Sequence, residues 1–580
     1  MAGRITLVQS VTSAILIYIM QTAQLPMSVC NKLDQLNRNF FWGHTDDKAK
    51  VHLVNWKTVC KPKATGGLGL KSVALMNKAL LAKNAWRLHQ DDHGLWAQVL
   101  KAKYLRNCDI LAANDSYTSC SSSAWRGILY GAQIILHGTK WRVGSGDNII
   151  FWTDNWLSCG ALIQYATIDI SEDMLLLKVS DYFADNTWNV NCLLERLPAH
   201  IVHLILCVHA GFQESGPDRC IWKLTTNGKF SVKTAYDIST IDDDPLTWSW
   251  NFIWKLHIPI RIKTFLWVLC HKKLLTNVQR QKRGIGQDTS CPRCSSQVES
   301  LDHLFIDCST TQLIGKDFWE DVEAPNFSMI DFDSWLLKNL KSHRTFHSIP
   351  WSLVFTVYLW FVWKWRCKVV FEQNFLTPPN SRQIILNYAM DWFTVCNYTP
   401  DLGVKQLVQL HWIAPKHGIC KINTDGSRKT ETGCIGAGGI LRDSAGKWLN
   451  GFYVNLGIGT ILEAELWGVF WGRKLAWNMG YIIVEVECDA SSVVALLQNA
   501  PMSDHPLFSL LNCCHLKLHD DWTCSLTHIY REQNRAADLL ATKSYDFPLG
   551  PHIFASEPAF LSTVLAADTS NVASPRLIPF

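Results

Sequence analysis

Four carboxylates in the last third of the chain stand where strands and helices end. "KINTDGS" (421–427) reads as a strand: Lys421-Ile422-Asn423-Thr424 alternate polar and apolar or β-branched residues, and Asp425 then closes the run before Gly426 and Ser427. An aspartate closing a buried strand costs free energy unless a cation or a hydrogen-bond donor receives it. Glu465 lies at the N-terminal end of an amphipathic helix, "LEAELWGVFWGRKLAWNMG" (462–480), beside the stripe Leu462, Leu466, Val469 and Leu475. Asp489 stands where the strand in "YIIVEVECDAS" (481–491) ends, and Asp538 rides on the helix of "WTCSLTHIYREQNRAADLLATKS" (522–544). Singly, each acid has a structural explanation, as a helix cap or a dipole partner. Packed together, four carboxylates repel and protonate unless divalent cations neutralise them. Oxygen-only ligation suits Mg²⁺ or Mn²⁺. Two such ions about 3.5–4 Å apart activate a water and stabilise the leaving oxygen in phosphodiester hydrolysis.

A second constellation is Cys291, Cys294, His303 and Cys308, spaced C-x2-C-x8-H-x4-C in "CPRCSSQVESLDHLFIDC" (291–308). Three thiolates and one imidazole close a tetrahedral, structural zinc site with no position left for water. Four unrelated residues of a Cys-rich chain are the alternative, and Asp302 and Asp307 leave the fourth ligand open. Of the 20 Cys, Cys291 and Cys294 form the one C-x-x-C pair, which points to a reducing compartment and an intracellular protein of the nucleus or cytoplasm.

Just upstream, 251–287 carries Lys255, Arg261, Lys263, Lys272, Lys273, Arg280, Lys282 and Arg283 and no acid, with Phe252, Trp254, Phe265 and Trp267 interleaved. A solvated helix face and a nucleic-acid groove both fit this run, since clustered cations release counterions from phosphates. Lys263, Lys272, Lys273, Arg280, Lys282 and Arg283 are the candidate nucleic-acid contacts.

The elements that must position these groups belong to a globular chain: 580 residues, 48% hydrophobic and 18% charged, with net charge +5, which carries little global information. Residues 1–110 read as helices around a turn cluster, "KPKATGGLGL" (61–70), and begin with an amphipathic helix. Residues 111–225 read as a connecting region with a hairpin in "WRVGSGDNIIFWTDNWL" (141–157). A zinc-binding domain over 226–320 and a helical linker over 321–410 follow. "WSLVFTVYLWFVW" (351–363) is too short to span a bilayer and reads as a buried helix, so no membrane association is expected. One compact α/β domain occupies 411–550. "GAGG" (436–439) reads as small residues in a closely packed strand. The tail, 551–580, lacks periodicity and is expected to be loosely ordered.

"TDGS", "GAGGILRD", "EAEL", "ECDASSVV" and "HIYREQNRAADLLA" resemble ribonuclease H in its plant retroelement form. The resemblance implies a mixed five-stranded sheet flanked by helices, metal-binding acids at Asp425, Glu465, Asp489 and Asp538, and at His528 a mobile histidine that assists water activation or product release. Asn534 and Asp538 keep the N-x-x-x-D spacing. The basic handle of bacterial members is absent, since 500–521 offers only Lys517 and histidines. Upstream, "LNRNFFWG", "VNWKTVCKPKATGGLGL", "NGKFSVKTAY" and "IWKLHIPIRIKTFLWVLCHKKLLTN" resemble the post-polymerase segment and zinc-binding region of plant LINE-type reverse transcriptases. "LWFVWKWRCKVVFE" (359–372) continues the resemblance, with Cys367 where the family has Asn.

The fold expected is therefore multidomain: mostly α in the N-terminal and zinc-binding regions, then an α/β ribonuclease H-like domain. "FADN" (183–186) imitates the polymerase F-A-D-D box but has Asn186 for its second acid, so the chain reads as a truncated retroelement product without a polymerase core. The function expected is Mg²⁺- or Mn²⁺-dependent hydrolysis of the RNA strand of RNA·DNA hybrids, with two catalytic ions and one structural zinc. The alternative is a non-catalytic, nucleic-acid-binding relic.

Overall fold

Alternation of apolar and polar residues over 420–458 produces a three-stranded antiparallel meander: β1 (Cys420–Arg428), β2 (Cys434–Arg442) and β3 (Trp448–Ile458). A capping box of Thr460 and Glu463 then starts α1 (Ile461–Asn478). β4 (Ile483–Cys488) returns parallel to β1, and β5 (Thr523–His528) parallel to β4, with α2 (Ser491–Gln498) and α3 (Phe508–His519) between them. α4 (Arg535–Lys543) follows, and β6 (Gly550–Phe554) pairs antiparallel with β3. The sheet order is β5-β4-β1-β2-β3-β6. This computed structural model describes residues 2–45, 47–90, 94–105, 110, 121–184, 187–208, 216–240, 250–295, 297–319, 331–397, 405–519 and 522–579.

Both faces of the mixed sheet are covered. Ile422, Ala437, Leu441, Phe452 and Val454 pack against α1, α2 and α3 through Leu466, Val469, Val493, Leu497, Leu510 and Leu511. Ile440 and Tyr453, on the opposite face, meet Ala536 and Leu540 of α4. The glycines of "GAGG" allow this closeness: a Cβ on Gly438 would collide with the backbone of Ala541, and one on Gly436 with Ser544 Oγ.

The sheet has one strand more than expected, and the tail is not loose. After β6, Leu561 and Leu565 complete the core beneath α4. Asp568 forms a buried ion pair with Arg442 at 2.7 Å, and the strand Ser574–Pro579 pairs with Lys405–Leu410. Elements this short bury one or two side chains each, too few for a periodic signal.

Residues 136–231 form one compact unit with 403–580. The expected hairpin at 141–157 is absent. Thr139–Arg142 pairs instead with Arg219–Trp222, and the amides of Gly144, Gly146 and Asn148 donate to the Asp218 carboxylate at 2.8, 2.8 and 2.9 Å. A distant acid thus takes the donors a local partner strand would use. Phe183–Ala184 pairs with Thr187–Trp188, while Asp185 and Asn186 of "FADN" lie outside the described residues.

The second unit combines 1–135 with 232–402. The stretches 1–110, 226–320 and 321–410, separate in the sequence reading, share a single apolar core, to which Phe41, Trp56, Trp267, Leu304, Trp335, Phe355 and Ile385 contribute. The helix Trp351–Phe371 runs through it, and among the described residues no helix is long and apolar enough to cross a membrane. Arg366 of this helix makes a buried two-pronged ion pair with Glu299, at 2.7 and 2.6 Å, and Glu299 also accepts from the Asn277 amide at 2.6 Å.

Candidate functional site

β4 ends one residue short of the site. Its last ladder pair with β1 is Cys488 opposite Thr424, so Asp489 steps off the strand beside Asp425. Asp425 itself does not end a strand: β1 continues to Arg428, with Asp425 opposite Gly438 of β2. The strand end seen from the sequence is only the end of the parallel side of the ladder. A Cβ on Gly426 would collide with the Glu465 amide, so its absence lets α1 lie directly on β1. The Gly426 amide hydrogen-bonds the Glu465 carboxylate.

Three of the four acids converge. Asp425 is 4% exposed and Glu465 7% exposed, and Asp425 shares a hydrogen bond with Asp489. Among the described residues no cation pairs with Asp425; the nearest in sequence, Arg428, donates to Gly459 O at 3.0 Å. Burial, then the charges of Glu465, Asp489 and Asp538, pushes the Asp425 carboxyl well above its usual range. Burial, then Asp489, pushes Glu465 up to about 8. Asp538 acts on both through its charge, but its carboxylate is held by Arg531 at 2.9 Å. Asn534 explains the N-x-x-x-D spacing: its Nδ2 donates to Thr424 O at 2.9 Å and pins the start of α4 to β1 beside Asp425. His528, exposed at the end of β5, is paired in register with Cys488, and its Nε2 lies 3.2 Å from Asp489 O. Arg531, which feels the charges of Asp425 and Asp489, is committed to Asp538, so the buried carboxylates form a donor set that could hold a divalent cation.

The cysteine cluster also assembles. The ligand atoms of Cys291, Cys294, His303 and Cys308 all lie within 4.8 Å of one another. Cys291 and Cys308 Sγ are 3.9 Å apart, and Cys294 Sγ is 3.3 Å from His303 Nε2. His303 Nδ1 meets Gln297 Oε1 at 2.9 Å, which orients the ring with Nε2 inward. The hydrogen bond between Cys291 and Cys308 holds the Cys308 thiol far below, and the Cys291 thiol above, the usual thiol range. Asp302 and Asp307 are exposed and stay outside the cluster.

Along its whole length the chain is 35% identical, over 604 residues, to a presumptive ribonuclease H protein of Arabidopsis thaliana, of which it covers 94%. The chain belongs to that family of retroelement reverse-transcriptase relatives, in which a zinc-binding region is joined to a ribonuclease H-like domain. The family described as reverse transcriptase-like matches residues 423–544, and the family described as zinc-binding in reverse transcriptase matches 230–314. An uncharacterised mitochondrial protein of the same plant is 30% identical over 145 residues, 25% of this chain and 93% of that one. Among solved structures, the ribonuclease H1 of the halophilic archaeon Halobacterium salinarum is 22% identical, with TM-score 0.21, covering 22% of this chain and 98% of that one. LC11-RNase H1 in complex with an RNA/DNA hybrid is 23% identical, with TM-score 0.20, covering 22% and 96%.

In the zinc-binding region the basic run divides by duty. Arg283 donates to the carbonyls of His52 and Leu53, both at 2.7 Å, Lys263 to Trp254 O at 2.8 Å, and Arg280 to Asn277 Oδ1 at 3.2 Å. Lys272 pairs with Asp333 at 2.7 Å. Lys273 and Lys282 are exposed. In the ribonuclease H-like domain, a sequence reading confined to acids passes over two residues: Arg531 and Cys488, the buried residue directly before Asp489. The Cys488 thiol lies 3.6 Å from Glu465 Oε2.

Proposed function

We propose that the ribonuclease H-like domain is a divalent-metal-dependent endonuclease that hydrolyses the RNA strand of RNA·DNA hybrids. One observation supports this reading: Glu465 and Asp489 offer ligand atoms within 4.8 Å of each other at the end of the parallel ladder, and the buried Asp425 carboxyl beside them feels both charges without a direct ion pair among the described residues. Two Mg²⁺ or Mn²⁺ ions, if bound by these carboxylates, would activate the attacking water and stabilise charge on the leaving oxygen. Asp425, Glu465 and Asp489 hold the metal side of the site, and Asp538 flanks it. His528 stands at the exposed rim, where it can carry a proton to or from solvent. Hybrid recognition rests on duplex shape and 2′-hydroxyls, not on base sequence. The test uses the full chain on a labelled RNA·DNA hybrid, with Mg²⁺ and with chelator. Cleavage of the RNA strand in Mg²⁺ alone is expected; a folded protein that cuts in neither Mg²⁺ nor Mn²⁺ refutes the reading. His528→Ala is expected to slow cleavage by about 10²–10⁴-fold without abolishing it, the range for a proton-transfer group. A variant as dead as the metal-site variants would place His528 among the ligands.

Cys291, Cys294, His303 and Cys308 are assigned one structural zinc. Cys291→Ser is expected to lose that zinc and to loosen the segment around it, as metal analysis and near-UV circular dichroism would show. Unchanged zinc content would remove Cys291 from the ligand set.

The basic run adds sequence-independent nucleic-acid affinity, and Lys273 and Lys282 are its most available cations. Changing both to Ala is expected to reduce the slope of log K against log salt by roughly 2, about 0.9 per phosphate contact. Identical slopes would make the run a solvated face.

A further inference from the structure

The alternation of β4 sends Val484, Val486 and Cys488 to the face beneath α1, the face from which Glu465 descends. Cys488 is fully buried there. Its thiol donates toward Glu465 Oε2 at 3.6 Å, and its sulfur accepts the Ala490 amide at 3.4 Å. One ligand atom each from Glu465, Cys488 and Asp489 lies within 4.8 Å of the others. Beside this group Asp425, 4% exposed, has no direct ion-pair partner among the described residues, since Arg531, which feels its charge, pairs with Asp538; the buried carboxylates thus independently favour a cation at this place. The site is thus not made of oxygen alone: a sulfur is built into its floor.

Resting on the nuclease reading above, we propose that Cys488 sets which divalent ion the acid cluster takes, and that it makes the site a binding site for thiophilic ions such as Zn²⁺ and Cd²⁺. Sulfur is a poor ligand for Mg²⁺ and a strong one for soft or borderline ions. With a hard ion the thiol keeps its proton and holds the Glu465 carboxylate through their hydrogen bond, a positioning role. With a thiophilic ion the thiol releases its proton to solvent as the metal–sulfur bond forms, and Glu465 and Asp489 complete the ligand set. Zn²⁺ then displaces the hard ions, and the nuclease becomes sensitive to free zinc.

The experiment uses the full chain with its cysteine knuckle already loaded with zinc. Cd²⁺ is titrated in while the ultraviolet sulfur-to-cadmium charge-transfer band is followed, for wild type, Cys488→Ser and Cys488→Ala. Mn²⁺ binding is measured in parallel by water-proton relaxation, zinc content by metal analysis and folding by circular dichroism. Beyond the cadmium–sulfur signal that accompanies zinc release from the knuckle, wild type is expected to show one further cadmium–sulfur step that both folded variants lack, with cadmium affinity at that step reduced at least about tenfold in them. Mn²⁺ binding is expected to remain in wild type and in Cys488→Ser, which keeps a donor to Glu465, and to weaken in Cys488→Ala. Equal cadmium–sulfur steps in wild type and in either folded variant overturn the proposal, while the Mn²⁺ result leaves the nuclease reading standing. Wild type that binds no Mn²⁺ but keeps a Cys488-dependent cadmium step overturns the nuclease reading and retains the sulfur site. Neither ion bound outside the knuckle overturns both.

Discussion

Asp425→Asn is expected to abolish hydrolysis of the RNA strand and to leave the fold intact. The loss should exceed about 10³-fold, equivalent to roughly 4 kcal/mol of transition-state stabilisation, because a neutral amide cannot replace the most buried carboxylate of the set. Stability should move the other way. The wild-type site confines Asp425, Glu465 and Asp489 together, and Asn removes one repelling charge, so the metal-free variant should melt at or above the wild-type temperature. The sign of the pH dependence follows. Glu465 is raised from 4.5 to about 8 in the folded chain, so its contribution to stability is complete below the lower value and is lost as pH rises through the higher one. Metal-free wild type should therefore weaken across that window, and Asp425→Asn should weaken less. Cleavage at the wild-type rate, or a much lower metal-free melting temperature, would make Asp425 a structural residue and leave the nuclease without its centre.

Asp568→Ala is expected to destabilise the ribonuclease H-like domain by about 3–5 kcal/mol, the cost of stranding one member of a buried ion pair. Arg442 is 1% exposed, donates to Asn423 Oδ1 at 2.7 Å and stacks on Trp412 with its guanidinium 3.6 Å from the ring centroid. Burial pulls the Arg442 guanidinium below its usual range, and Asp568 is the chief group opposing that pull. Asn423 in turn donates to Glu487, which receives Lys421 at 2.6 Å. A loss at Arg442 therefore spreads along a polar layer inside the sheet. Urea unfolding of the full chain measures it, and a change under about 1 kcal/mol would show that water or a rearranged side chain replaces Asp568. The same pair predicts that a fragment ending at 550 would be a poor vehicle for activity assays, since it keeps Arg442 and discards its counter-charge.

The positions of Asp425, Glu465 and Asp489 near one another are legible because each stands beside a strong local pattern. Asp489 is the charged residue just past the end of β4, and Asp425 is the one at which β1 loses its parallel partner. Glu465 is visible as a charge beside an apolar stripe. What escaped notice depends on distant chain. Asp218 takes the amides of Gly144, Gly146 and Asn148 from 70 to 74 residues away, so a hairpin motif is present without a hairpin. The 551–580 tail is short elements that gain order from Arg442, Ile440 and Lys405–Leu410, none of them nearby in sequence. Cys488 was hidden by its type, since a cysteine in a strand reads as a small core residue until its neighbours are known.

The chain visits its two units alternately: residues 1–135 and 232–402 build one, 136–231 and 403–580 the other. Synthesis from the N-terminus therefore cannot finish them in order. At roughly 5–20 residues per second, the first segment waits about 5–20 s while the intervening segment emerges, and holds its half of an apolar core open in the meantime. The segment 136–231 waits longer still, since 403–580, with which it forms the other unit, arrives only after the first unit is complete. Until 232–402 has emerged, ribosome-bound chains are expected to carry the open half of that apolar core, so chaperone demand should follow the order of the segments as well as the stability of the finished units.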